Sequence, residues 1–528
     1  FLFTYVLFSF KLSEKKAMIG ATLASFLYAF VPTMLHRTVA GIPELESLGM
    51  VWFWFAFLFF ALAWKSNLNF EGKDKRRAKR KMIIYGLLAG LFTGAMSWTW
   101  GGYRYIYMVI GLACFLAFLF NINKKKNFAI LGSFLITGII IEVAKSKSIL
   151  TFITSFNDIG FALGVFLMLG IDLILFETKL KNIKLLRKIK EKTKLPENIL
   201  SILIFAIFGI LFLLIINPEF ASSLFSRIIE GLLYPFGRGR VGLTVAENRT
   251  PYFMDILGDF GNLLWLFLAG LLLIFYEATR HFNVKNRWIL NLFFILFVGT
   301  FVFSRISSGH LLNGENLISQ VMYLGGLAFF GIVLFAIYIK SYLKNDEKTL
   351  GDFSKINIAS LVLISFAFWG IVSMRGAVRL LFIIAPFVIL ISMYFFVKIF
   401  DYRKSKDDLG KLFSWIIIII GAIIIGITFL SYAQTTTISA QSLSPSPYNQ
   451  QWHYAMNWVE ENTPENAVFT HWWDYGYWIQ TLGKRPTVSD GGHFISWWDH
   501  TVARYLLTTP RPETALSLMK THNVSYLL

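Results

Sequence analysis

Long apolar runs recur along this chain, separated by short polar segments. They cover residues 48–64, 82–99, 103–121, 128–144, 157–176, 199–217, 256–276, 318–339, 377–397 and 412–431, with shorter ones at 289–304 and 356–373. Each long run approaches or exceeds the roughly 18–20 residues that carry a helix across a ~30 Å hydrocarbon core. One or two such runs fit buried core helices. More than ten do not, because a soluble fold must show polar faces somewhere. The pattern predicts a polytopic α-helical membrane protein, with the lipid bilayer as its first partner. Residues 1–10 (FLFTYVLFSF) start in mid-run, so the sequence is expected to begin inside a membrane helix with an N-terminal piece missing.

The polar segments set the orientation. Segments 11–16, 71–81, 124–126, 179–194, 280–287, 340–355 and 401–411 are rich in Lys and Arg, which makes them cytoplasmic by the positive-inside rule. The alternate segments, 37–47, 100–102, 146–156, 218–255, 305–317 and 374–376, are poor in Lys and are expected outside. Residues 434–528 follow the last run and fall outside too. They open on a linker-like QTTTISAQSLSPSPYNQ, then become mixed polar and aromatic like a soluble α/β domain. A helix is expected over 451–462, a strand over 466–470, a helix over 512–522 and a strand cut short at 525–528. Two domains result: a multi-spanning membrane domain over 1–433 and an extracytoplasmic, incomplete globular domain over 434–528.

Composition adds little to this. The 528 residues are 56% hydrophobic and 15% charged, with a mean hydropathy of +0.59. A net charge of +19 suggests nucleic acid in a soluble chain; here the lysines cluster in loops, as topology demands, and no nucleic-acid partner is expected. Cys114, the single cysteine, lies in an apolar run, so there is no disulfide framework.

Candidate chemistry collects in the outward segments. Glu44 and Glu46 follow Arg37-Thr38-Val39-Ala40-Gly41 in loop 37–47. Two carboxylates at i and i+2 can converge on a hard cation such as Mg²⁺ or Mn²⁺, or stand as solvated loop acids. Loop 218–255 holds Arg238, Arg240 and Thr244-Val245-Ala246-Glu247, then Asn248-Arg249-Thr250; its acid among arginines fits a lid as well as a surface ion pair. Arg375 and Arg379 sit at the outer end of run 377–397, with Arg379 the deeper of the two by position. Either could grip a phosphate or anchor the interface. The tail carries His471-Trp472-Trp473-Asp474-Tyr475-Gly476-Tyr477-Trp478. That cluster reads equally as a hydroxyl-recognition pocket and as an aromatic core. A second Trp-Trp-Asp at 497–499 lacks the following Tyr-Gly. The charge rule puts all these sets on one membrane side.

At these residues the sequence resembles the catalytic subunit of oligosaccharyltransferase, most like the archaeal AglB branch. Trp472-Trp473-Asp474-Tyr475-Gly476 matches the family's hallmark, and Glu44-x-Glu46 resembles its second acidic motif. Thr244-Val245-Ala246-Glu247 resembles the external-loop motif ending in Glu, and Val378-Arg379-Leu380 with Pro386 resembles the segment whose Arg meets the lipid phosphate. The likeness spans nearly the whole chain in the family's order. It implies a GT-C type glycosyltransferase with about 13 transmembrane helices. The implied reaction moves a preassembled oligosaccharide from a dolichyl or polyprenyl (di)phosphate carrier to the Asn of Asn-x-Ser/Thr acceptors on the outer face of a cell membrane. By the same resemblance, Glu247 and Arg379 are catalytic, Arg379 also holds the lipid phosphate, Glu44 and Glu46 hold Mn²⁺ or Mg²⁺, and Trp472, Trp473 and Asp474 bind the acceptor's Ser/Thr. The family's first acidic motif and its helix motif after Trp-Trp-Asp have no match and are expected outside the chain. Glu replaces the commoner Asp at 44, and His471 is not the usual preceding residue. The competing readings are another polyprenyl-phosphate-sugar transferase, acting in O-mannosyl or lipid glycosyl transfer, and a transporter or flippase. Transport would put polar residues at mid-membrane, whereas these acids lie at run ends.

Overall fold

The computed structural model describes residues 1–39, 44–66, 72–146, 159–216, 218–235, 237, 246–403, 408–442, 448–492, 495 and 497–528. Ala40, Gly41, Arg238, Arg240, Thr244 and Val245, singled out above, lie outside the described residues. Two compact units emerge. One comprises 1–235, 251–375 and 380–433; the other comprises 236–250, 376–379 and 434–528.

The first unit is helical because a backbone in hydrocarbon must satisfy its own hydrogen bonds. Among the described residues nine helices are long and apolar enough to cross a membrane, or up to eleven if two bent pairs each count as one span. Run 256–276 is one such pair: Phe253–Phe260 and Leu263–Ala278 meet at 102°. The break falls at Gly261, whose φ of +52 an L side chain rarely adopts. Run 356–373 belongs to the other, where Glu347–Ser354 meets Ile358–Met374 at 71°. Helix Glu14–Phe30 answers to none of the runs named above; Lys15, Lys16, Gly20 and Thr22 dilute its hydropathy. Close crossings need small residues. Gly86, Gly90 and Gly94 form one stripe of helix Gly72–Thr99 against helix Lys124–Ser146, where an added Cβ would strike Ser133, the Phe134 carbonyl and Ile141.

Polar contacts tie the run ends into two sets. The borders of the basic segments meet one another. Lys11 and Lys398 both pair with Glu277, at 3.2 and 3.1 Å. Asn121 and Asn198 both donate to Tyr338 Oη at 2.9 Å. Lys126 Nζ donates to the Trp64 and Ser66 carbonyls at 2.6 and 2.8 Å, and Phe353 packs edge-on against Phe282. Lysine-poor segments likewise join their own kind. Lys145 Nζ donates to the Ser97 carbonyl at 2.5 Å, Trp100 packs on Phe382, and Arg375 donates to Ser304 Oγ at 2.5 Å. The two classes of loop therefore lie at opposite ends of the first unit.

The second unit contains a two-stranded parallel sheet, β1 (Val468–Thr470) beside β2 (Val524–Leu527). Helices Gln450–Asn462 and Pro512–Thr521 lie where the sequence predicts them. Met456, Val459, Ala467, Phe469 and Ile479 form its core. The expected linker differs: helix Asp408–Ser442 runs on through 434–442.

Candidate active site

The Trp-Trp-Asp segment is a strand–turn–helix. β1 ends at Thr470, Trp473–Tyr475 form a single 3₁₀ turn closed by Tyr475 N donating to the Trp472 carbonyl at 3.1 Å, and helix Gly476–Thr481 follows. Both readings of the aromatic cluster apply, to different members. Tyr475 and Trp478 are structural: their rings lie 5.1 and 4.6 Å from that of Trp452. Trp472 and Trp473, with rings 6.2 Å apart, are half-buried, and Asp474 is exposed. Gly476 is needed for close approach, since a Cβ there would sit 2.6 Å from Gly491 N and 3.0 Å from Asp490 Cα. The copy at 497–499 is built otherwise. Trp497 and Trp498 open an α-helix and stack at 4.1 Å, while Asp499 is 2% exposed.

His471 underpins the turn. It is fully buried, and its Nδ1 lies 2.7 Å from the Trp472 carbonyl oxygen. A carbonyl accepts, so Nδ1 carries the proton. Nε2 is buried without a hydrogen-bond partner. Burial holds the imidazole below its usual range, so the ring is neutral near pH 7.

Glu247 sits exposed on the one-turn 3₁₀ helix Ala246–Asn248, beside a buried Asn248. Two residues on, the Arg249 carbonyl accepts a hydrogen bond from Val378 N at 2.9 Å. Val378 opens the 3₁₀ turn that carries Arg379. A backbone bond thus couples the Glu247 and Arg379 segments, and both fall in one compact unit with Trp472, Trp473 and Asp474.

The deeper arginine is Arg375, against expectation. Arg379 is partly exposed, because residues 378–380 form a turn ahead of helix Leu381–Tyr402. Arg375 is 5% exposed and caps helix Ile358–Met374. Its guanidinium donates to Ser304 Oγ and the Gly314 carbonyl and lies 3.9 Å from the Tyr323 ring centre. Arg305 beside it donates to the Pro251 carbonyl at 3.1 Å and covers the Tyr252 ring. Both arginines hold loops of the first unit. No motif in the sequence marked Arg305 for that role.

Glu44 and Glu46 belong to the first unit, apart from the other site residues in this division. Glu44 is the N-cap of helix Leu45–Lys65, and its carboxylate lies 3.4 Å from Arg37 Nη1. Glu46 is in the first turn, 3% exposed. Carboxylates suit a helix N-terminus, and their oxygens suit a hard cation. No group of three or more His, Cys, Asp or Glu able to hold a metal occurs among the described residues.

Residues 2–238 match the family model described as oligosaccharyl transferase STT3, N-terminal. A dolichyl-phosphooligosaccharide-protein glycotransferase 1 of Pyrococcus furiosus is 49% identical over 57 residues, 10% of this chain and 6% of that protein. The dolichyl-phosphooligosaccharide-protein glycotransferase of Methanocaldococcus jannaschii is 22% identical over 507 residues, 90% of this chain and 51% of its own. Archaeal oligosaccharyltransferase AglB from Archaeoglobus fulgidus, solved with an inhibitory peptide and a dolichol-phosphate, aligns over 100% of this chain and 56% of its own at a TM-score of 0.63 and 16% identity. Over residues 2–238 the chain is similar to the oligosaccharyl transferase STT3 family, and its fold is similar to that of AglB. The chain spans about half the length of the curated relatives it matches end to end. The AglB likeness, with the many apolar helices, establishes a multi-pass helical membrane fold. A further structure of similar fold (TM-score 0.56, 16% identity), an Archaeoglobus fulgidus oligosaccharyltransferase, is a complex with zinc and sulfate.

Proposed function

We propose that this AglB-like chain transfers a preassembled oligosaccharide from a dolichyl or polyprenyl (di)phosphate to the side-chain nitrogen of Asn in Asn-x-Ser/Thr acceptors, at the extracytoplasmic surface. The observation that carries it is the Val378–Arg249 backbone bond, which couples the Glu247 and Arg379 segments inside the unit that also holds Trp472–Asp474.

The chemistry asks much of those residues, because the Asn nitrogen lone pair is delocalised into its carbonyl. Glu247 accepts hydrogen bonds from the amide, loosens that conjugation and takes the proton as nitrogen attacks the sugar's C1. The C1–O bond breaks, and its electron pair leaves with the carrier phosphate. Arg379 grips that phosphate through its fork of donors. Asp474 accepts from the acceptor's Ser/Thr hydroxyl while the Trp472 and Trp473 indoles wall it in, fixing the Asn two residues away; such positioning removes several kcal/mol of barrier. Glu44 and Glu46 would hold Mg²⁺ or Mn²⁺, which supplies charge stabilisation at the leaving phosphate when bound. Support for a bound metal comes from the acidic pair and the zinc complex of the related enzyme.

The test is transfer by the purified chain in lipid nanodiscs, supplied with lipid-linked oligosaccharide and fluorescent peptides. An Asn-x-Thr peptide should shift on a gel and an Asn-x-Ala peptide should not. Equal transfer to both, or transfer to Thr oxygen, overturns the reading. Glu247→Gln should lower kcat about a hundredfold.

A further inference from the structure

The segment between helices Gly160–Glu177 and Glu197–Ile216 does more than connect two spans. Both helices pass for membrane crossings by length and composition, so residues 178–196 leave and re-enter the bilayer at one surface. The segment folds there as a short 3₁₀ turn, Lys179–Asn182, and a helix, Lys184–Thr193. Residues 179–194 hold eight basic side chains (Lys179, Lys181, Lys184, Arg187, Lys188, Lys190, Lys192 and Lys194) against one acid, Glu191.

Three of its apolar positions are turned outward. Leu180, Ile183 and Ile189 recur along the segment and are 39%, 46% and 36% exposed. A connector meant for water would not keep branched aliphatics outward beside so many lysines. Basic residues around an apolar stripe are the pattern of a helix lying in a membrane interface. One end is held: Lys190 Nζ pairs with Glu197 Oε1 at 2.6 Å, tying the helix to the first turn of the next span. The other seven basic residues of the segment have no carboxylate partner among the described ion pairs.

We propose that Lys184–Thr193 is an interfacial helix that binds anionic lipid headgroups of the leaflet it faces, with Leu180, Ile183 and Ile189 sunk among the acyl chains. Charge complementarity selects the occupant. A zwitterionic surface offers no net partner for this charge, whereas each lysine at an anionic one is worth roughly fivefold in affinity at low salt. The inference is independent of the catalytic reading.

The chain lends itself to a direct measurement. Cys114 is its single cysteine and is fully buried, so Ile189→Cys or Lys188→Cys each creates one reactive thiol for a spin label. The labelled full chain is placed in nanodiscs of phosphatidylcholine alone or with about one quarter phosphatidylglycerol, a fraction that keeps the surface clearly anionic. Collision with oxygen reports lipid and collision with a nickel chelate reports water. In the anionic discs the label at 189 should favour oxygen and the label at 188 nickel. The immersion at 189 should weaken in pure phosphatidylcholine and on raising salt from about 0.05 to about 0.5 M, which shortens the screening length severalfold. In Lys184→Gln/Arg187→Gln/Lys188→Gln/Lys192→Gln the anionic lipid retained through purification should fall at least about fivefold. Equal nickel access at 188 and 189 in both discs overturns the proposal, as does immersion indifferent to lipid charge and salt. Those arms use the single-thiol proteins and stand even if the fourfold variant fails to fold.

Discussion

Asp474 and Asp499 end identical tripeptides and live in opposite surroundings, one exposed on a 3₁₀ turn and one 2% exposed on a helix. Removing each should therefore fail differently. Asp474→Ala should keep thermal stability within about 0.5 kcal/mol, as exposed substitutions do, while kcat/KM for an Asn-x-Thr peptide falls about ten- to a hundredfold through loss of a charged hydrogen bond. Asp499→Ala should mainly lower the melting temperature, because it disturbs a buried polar group. Equal activity loss with unchanged stability in both variants would deny Asp474 its special place. Gly476 offers a second contrast. Its φ is unremarkable, so alanine is excluded by the Gly491 and Asp490 backbone alone. Gly476→Ala should destabilise the second unit by about 1–3 kcal/mol, measured by denaturant unfolding.

At the scale of elements, the β1–turn–helix piece carries a built-in dependence on pH. His471 is buried neutral, with a folded pKa below its ordinary 6.5. The unfolded chain takes up the proton first, so the stability this group contributes is complete above about 6.5 and is lost as pH falls toward the lower folded value. Melting followed from pH 7.5 to 5 should show that decline, and His471→Gln, which cannot titrate, should flatten it. Sequence reading reaches this element only partly. Periodicity places Gln450–Asn462 and β1 because their apolar positions face one core, and Pro512 at the first helical position marks the start of Pro512–Thr521. It says nothing of which aromatics turn inward, since Tyr475, Trp478, Trp472 and Trp473 look alike in composition. Arg375 and Arg379 are misordered for a related reason: distance along an apolar run does not measure depth where the run's first residues form a turn. Helix Glu14–Phe30 escapes a hydropathy scan, and the bend at Gly261 hides inside one continuous run. The Arg249–Val378 bond joins segments far apart in sequence, and no local pattern encodes it.

Across the whole molecule, the alternation of basic and lysine-poor segments predicts which run ends meet, and the buried charges at one end show what that meeting requires. Glu277 is 8% exposed and receives Lys11 at 3.2 Å, Lys398 at 3.1 Å and the Tyr394 hydroxyl at 2.5 Å. Lys11 also donates to Ser360 Oγ at 2.7 Å, and Lys398 reaches Asp401 at 3.0 Å, with Lys16 pairing to the same Asp401. Four helices thereby join one network around Glu277 and Asp401: Glu14–Phe30 through Lys16, Leu263–Ala278, Ile358–Met374 and Leu381–Tyr402. Two ammonium groups share the Glu277 carboxylate, and only Lys398 has a second one in Asp401, so the balance is asymmetric. Removing one lysine leaves Glu277 another, whereas removing Glu277 leaves Lys11 with only a serine oxygen. An uncompensated buried charge costs about 3–5 kcal/mol. Glu277→Gln should thus lower stability in detergent or nanodiscs by about that much, while Tyr394→Phe, which deletes one donor of three, should cost about 1 kcal/mol. Thermal unfolding of the two variants decides it. If Glu277→Gln melts within a degree or two of the parent, the network is solvated and does not hold these helices, and the shared end of the basic segments must be secured by packing alone.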